Sequence, residues 1–381
     1  MKTLPWLTLA LVLAAPLYAD RPAEPPARRA ANLVRQLGDD SFEVRERAGK
    51  DLLRLGVAAR RALQEGARDA DPEVRRRCKE LLPAVLEADH KARLDAFLAD
   101  KDGRQEHHLP GWERYRQVAG QDAAARAFFA TLLRHDMNFL ADVEKDPARA
   151  GERCSEQCHE LFGRMVYGGM PGVRTPLDLA DVAEVLLVAG DPRVTVPPQS
   201  RPWVSTFFYQ EPVLSALRGG EQTPFRKLVV AWMERQTDDE DAAQQMFLVM
   251  TQTLNLKEAL DLGLRVLRDR PVKSRGLAGA LVTVGKLGGP AHRTALEPFL
   301  NDATIVGNFA VGKERGTTQV RDVALAMLVH VTGQDPKGYG FAFSHRYAYL
   351  KFHPSFLGFA GDSERDRALA RWRDWFARTK K

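Results

Sequence analysis

Two segments thirty residues apart carry one pattern: Asp39-x-x-x-Glu43-Val44-Arg45-x-Arg47-Ala48 and Asp69-x-x-x-Glu73-Val74-Arg75-x-Arg77-Cys78. A period of this length predicts stacked helix pairs, because one pair is too small to bury its apolar face and must lean on a neighbour. The local chemistry agrees. Asp40 followed by Glu43 reads as a capping-box start, and Asp71 before Pro72 as an N-cap ahead of a first-turn proline. Val44, Ala48, Leu52 and Leu55 recur at helical spacing, and Gly56 stops that helix. Val74, Cys78, Leu82 and Val85 form the equivalent stripe. Cys78 stands where Ala48 stands, which reads as a core thiol.

Val-Arg-x-x-Ala after an acidic loop, closed by a Leu-rich turn and Gly, resembles the HEAT repeat. It occurs at Val44-Arg45-x-x-Ala48, at Val74-Arg75-x-x-Cys78 and at Val320-Arg321-x-x-Ala324, with a looser copy at Arg275-x-x-Ala278, where Ser274 replaces Val. The resemblance covers 30–88 and 253–335. It implies an all-α solenoid in which Arg45, Arg75 and Arg321 each bond an acidic residue of a neighbouring repeat. Leu109–Tyr115 and Gly316–Ala324 are similar to secreted bacterial HEAT-repeat proteins of unassigned role, which implies an architecture and no activity.

Residues 1–19 (MKTLPWLTLALVLAAPLYA) have one Lys, an apolar run from Leu4 to Leu17 and a small residue at Ala19, the layout of a secretory signal peptide. The run is shorter than the ~20 residues of a spanning helix. An extracytoplasmic chain without stable membrane insertion is expected. A Pro-rich spacer (20–29) follows, then the repeat pair (30–88), an irregular helical middle (89–252) and a C-terminal repeat region (253–381). Within these, 122–134, 178–189, 224–235, 241–250 and 257–268 carry three-and-four apolar spacing. Only 305–312 and 339–352 suggest extended structure, at most a short β-hairpin. Lys+Arg number 56 against 50 Asp+Glu, and the excess sits largely in 365–381, with seven basic and two acidic residues. A nucleic-acid partner needs a broad basic face, so none is expected. In that tail Ala368, Leu369, Trp372, Trp375 and Phe376 share a helix face. Asp362 or Ser363 is placed to cap it. A helix that closes the last repeat is predicted.

Cys154-x-x-x-Cys158-His159 is one residue longer than a c-type haem attachment motif. Cys154, Cys158, Leu161 and Met165 fall on one helical stripe, which reads as core thiols too far apart to bridge; a redox or haem role for Cys154, Cys158 and His159 is the alternative. Gly307–Gly312-Lys313 matches most of a phosphate loop, but Glu314 stands where that loop needs a hydroxyl, so a Gly-rich connection is expected. Glu106-His107-His108 reads as exposed polar loop rather than a metal site. No carboxylate pair stands out in an apolar setting, and no nucleophile elbow is present. Residues 339–359 hold eight aromatics in 21 positions, against 8% for the chain. Phe341, Phe343, Tyr347 and Tyr349 are candidates either for packing on the solenoid or for binding a partner. A non-enzymatic scaffold or protein-binding module is the leading expectation, with no cofactor. A hydrolase without a recognisable motif is a further alternative.

Overall fold

The repeated motif folds as the starts of two helices, each entered through a matching turn. A computed structural model describes residues 24–167, 177–218, 223–311, 314–341 and 352–379. Its elements are α1 Pro26–Gln36, α2 Phe42–Leu55, α3 Arg60–Gly66, α4 Pro72–Ala99, α5 Trp112–Ala119, α6 Ala123–His135, α7 Asn138–Lys145, α8 Ala150–Tyr167, α9 Leu179–Ala189 and α10 Arg201–Phe207. They continue with α11 Glu211–Arg218, α12 Pro224–Glu234, α13 Glu240–Leu248, α14 Glu258–Asp269, α15 Ser274–Gly288, α16 Arg293–Leu296, β1 Ile305–Val311, β2 Glu314–Gln319, α17 Val320–Val331 and α18 Asp362–Thr379. The described chain is mostly helical, with one small antiparallel sheet of β1 and β2. None of its helices is long and apolar enough to cross a membrane. It divides into two compact units, Met1–Phe97 and Leu98–Lys381. Position 88 lies inside α4, which runs unbroken past Pro83 to Ala99.

In the N-terminal unit Ala48 and Leu52 of α2 and Val74, Cys78 and Val85 of α4 join Leu33, Val34 and Leu37 of the α1 segment in one core. Gly56 ends α2 with φ 54°, a left-handed value that glycine adopts at little cost. Asp71 caps α4, its carboxylate accepting the Glu73 N–H at 2.8 Å. The α2 start differs from expectation. Ser41 is the N-cap and makes no side-chain bond to the helix; Asp39 instead accepts the Ser41 N–H at 2.9 Å. The acid at 40 is one position too early to cap a helix that begins at Phe42.

In the C-terminal unit the five segments with helical spacing fold as α6, α9, α12, α13 and α14, and α13 runs on into a π-helical turn at Val249–Thr253. Buried α15 packs against α13, α14 and α17. Residues 305–311, within the stretch expected to be extended, form β1, so the Gly-rich segment is strand rather than connection; β1 pairs with β2 through Asn308–Thr317 and Phe309–Gly316. Phe359 adds a bridge to Thr317. Helix α18 buries Ala368, Leu369 and Trp372. Buried Arg365 sends its Nε to Asp322 Oδ1 on α17 at 2.8 Å and its Nη2 to the Thr317 carbonyl at 2.9 Å.

Candidate functional site

The repeat arginines lock their own turns. Arg45 Nη1 donates to the carbonyls of Asp39 and Asp40 at 2.7 and 2.9 Å. Arg75 Nη1 donates to those of Asp69 and Ala70 at 2.7 and 2.6 Å. The guanidinium thus ties the first turn of each helix to the loop before it. The contact between repeats comes second: Arg45 Nε is 3.8 Å from Glu73, while Arg77 reaches Glu46 at 2.9 Å. Arg321 departs from the pattern, because its Nε bonds Gln319 at 2.6 Å.

Cys154 and Cys158 are free, fully buried thiols on α8. Their mutual hydrogen bond, with burial, raises Cys154 well above the ordinary thiol range. A thiol so raised stays protonated and unreactive. His159 is exposed on the same helix, its ring 5.1 Å from that of Trp203, so the three residues do not converge. Burial raises Cys78 to about 11, the Asp69 charge adding to it. Phe341 is buried against Phe359 at 4.9 Å; Phe343, Tyr347 and Tyr349 lie outside the described residues, as do Gly312 and Lys313.

The strongest electrostatic anomaly lies where α6, α8 and α9 meet. Asp178 caps α9 and Asp181 completes a capping box with it. The two ring nitrogens of His135 face Asp178 Oδ2 at 3.1 Å and Asp181 Oδ1 at 2.8 Å. Arg164 forks onto Asp181 at 2.7 and 2.9 Å. Burial works against the Asp181 carboxylate, yet these donors hold its pKa below the ordinary value. Glu184, one turn further along α9, is fully buried, and neither carboxylate oxygen has a hydrogen-bond partner. Burial first, then the charges of Asp136, Asp181 and Asp178, push it up to about 9. It is therefore a neutral acid that holds its proton at pH 7.

His135, Asp178 and Asp181 bring donor atoms within 4.8 Å of one another. Asp181 nevertheless already accepts from His135, from both Arg164 nitrogens and from the Asp178 N–H, so an ion would have to displace Arg164. The cluster is built as a structural hub. One signal in the sequence pointed to it: Glu184 is the single charge in the apolar run Val182–Ala189.

A second group lines a cleft of about 660 Å³. Asp100 accepts the N–H groups of Arg104 and Gln105 and lies 3.0 Å from His107 Nε2. The Gln105 amide first, then His107, hold Asp100 down at about 2. His107 is thus half-buried and anchored rather than an exposed loop residue, while His108 is exposed beside Glu106 at 3.9 Å. The carboxylate fixes the orientation of the His107 ring, the arrangement that positions an imidazole. Arg126 stands over Trp112 at 5.7 Å in the same cleft, but none of the cleft residues is a hydroxyl or thiol nucleophile. No family model matches this chain, and no curated protein matches it in sequence.

Proposed function

We propose that the chain is a non-enzymatic, extracytoplasmic α-solenoid scaffold that binds a protein partner. The observation that carries this reading is the duplicated arginine lock. Arg45 and Arg75, thirty residues apart, hold the carbonyls five and six residues before them at nearly the same distances. Two turns built alike at one period are the unit of a stacked helical array, and such arrays work by presenting helix surfaces. The N-terminal unit leaves Phe42 62% exposed, Leu53 42% and Val57 54%. Phe42 and Leu53 are eleven residues apart on α2, three helical turns, so they share a face. Aromatic and aliphatic side chains on one face, beside Arg45, have the composition of an interface core.

Affinity capture from the native envelope fraction tests this, with wild-type protein compared with a Phe42→Glu/Leu53→Glu variant. A defined protein retained by the wild type and lost from an equally stable variant is the expected result. Equal retention by both rejects the docking face. Recovery of the protein from the cytoplasm with residues 1–19 intact rejects the location.

A further inference from the structure

We propose that two adjoining cavities between α10, α12 and α13 form a binding site for a small carboxylate whose neighbouring group is an amide. The cavities measure about 350 and 90 Å³ and share Arg201 and Gln236 as walls. A carboxylate needs cationic donors that the fold has not already spent. Arg235, in the wall of the smaller cavity, has no ion pair among the described residues, and its Nε is buried with no acceptor. Arg201 meets only Asp238, at 3.5 Å, beyond the ordinary N–H···O range.

Three acids share these walls, Asp238 in the smaller cavity and Asp239 and Asp241 in the larger. Asp239 caps α13 by accepting the Ala242 N–H at 2.8 Å. Asp241 pairs with Arg275 at 2.7 Å. Asp238 and Asp239 keep their charge beside Arg201 and Arg235, so the walls are near neutral, and Arg235 is the wall arginine without an ion pair among the described residues.

The rest of the walls fits the second half of the ligand. Gln244 and Gln245 present amides and Ser205 a hydroxyl, while the Gln236 nitrogen donates to the Trp232 carbonyl at 3.0 Å. One buried nitrogen of Gln244 has no acceptor. Amide side chains pair with a ligand amide through its N–H and C=O together. Pro198 and Pro202 supply an apolar wall. The larger cavity holds a ligand of one or two amino-acid residues, at the small end of ordinary ligand pockets. An N-acylated amino acid and the C-terminal residue of a peptide share this chemistry. The site is separate from the exposed α2 face, so its failure leaves the scaffold reading standing.

Isothermal titration of the full chain decides the matter, using N-acetyl-alanyl-alanine, its C-terminal amide and N-acetylalanine. The free acid is expected to bind at least tenfold tighter than the amide. Arg235→Gln is expected to weaken it at least tenfold, Arg201→Gln likewise, and Arg61→Gln, in the N-terminal unit, to leave it unchanged. Tighter binding of the dipeptide than of N-acetylalanine identifies a peptide end as the ligand; equal binding identifies a free acyl amino acid. No heat with either acid at millimolar concentration, equal binding of acid and amide, or full affinity in a folded Arg201→Gln variant overturns the proposal.

Discussion

Glu184 makes the sharpest residue-scale claim, because a buried carboxyl without a partner leaves a signature in pH. Its pKa is about 9 in the folded chain and about 4.3 in an unfolded one. Between those values the folded state keeps a proton that the unfolded state releases. Stability contributed by this group is therefore full below pH ~4 and falls as pH rises, by up to about 1.4 kcal/mol per unit. Glu184→Gln keeps the shape and removes the titration. The variant should melt above wild type at pH 8 and lose most of that advantage at pH 5; a difference independent of pH contradicts the assignment. Asp181 has the opposite sign. Its depressed pKa supplies stability above pH ~4 that is lost as acid protonates it. The glutamate sat in plain view as one charge in an apolar helix, but the sequence does not show that Asp136, just past the end of α6, lies close enough to repel it.

At the scale of elements, the paired pattern was legible because its signals are local: a stripe of apolar residues at helical spacing in both copies, the Asp71 cap of the second and Gly56 closing the first. Partners across space were not. The arginines were expected to reach neighbouring acids, and mainly hold carbonyls of their own turns instead. Arg45→Ala or Arg75→Ala removes two donors to loop carbonyls, and each should cost about 1–3 kcal/mol in thermal or denaturant unfolding; unchanged melting of both variants contradicts the lock. The close approach of α3 to α4 was equally invisible. A Cβ on Gly66 would stand 2.6 Å from Cys78 Sγ and 2.7 Å from a Val34 methyl, closer than packed atoms allow. Gly66→Ala should therefore cost about 1–3 kcal/mol of overpacking strain. Cys78→Ala, harmful alone because it leaves a cavity, should recover part of that loss in the double variant. Strict additivity of the two substitutions would falsify the contact.

For the whole molecule the decisive element is α18, whose docking the sequence predicted from its aromatic stripe but whose anchor it could not name. Arg365 and Asp322 are 2% and 0% exposed in their side chains and lie 2.8 Å apart, joining residues 43 positions apart. A basic residue in a tail with seven Lys+Arg looks like surface until the fold shows which one turns inward. The guanidinium also reaches the Thr317 carbonyl, so one side chain ties α18 to α17 and to β2. A buried pair of this kind contributes little against an apolar replacement of both partners, yet removal of one partner strands the other charge and costs about 3–5 kcal/mol. Arg365→Ala should therefore be much more harmful than the paired replacement Arg365→Met/Asp322→Leu, even though the latter changes more atoms. A chain ending at Gly361 loses Arg365 together with buried Leu369 and Trp372, and exposes the α17 surface they cover. It should melt well below wild type or aggregate, and its remaining tryptophan emission should be unchanged in the presence of anionic vesicles. The rival role for a basic amphipathic helix is adsorption on such vesicles. That role predicts co-sedimentation of the full chain with vesicles, lost on truncation, with the melting of the remainder unaltered. The two outcomes are mutually exclusive because Trp372, buried on the fold, cannot insert into a bilayer while it packs there.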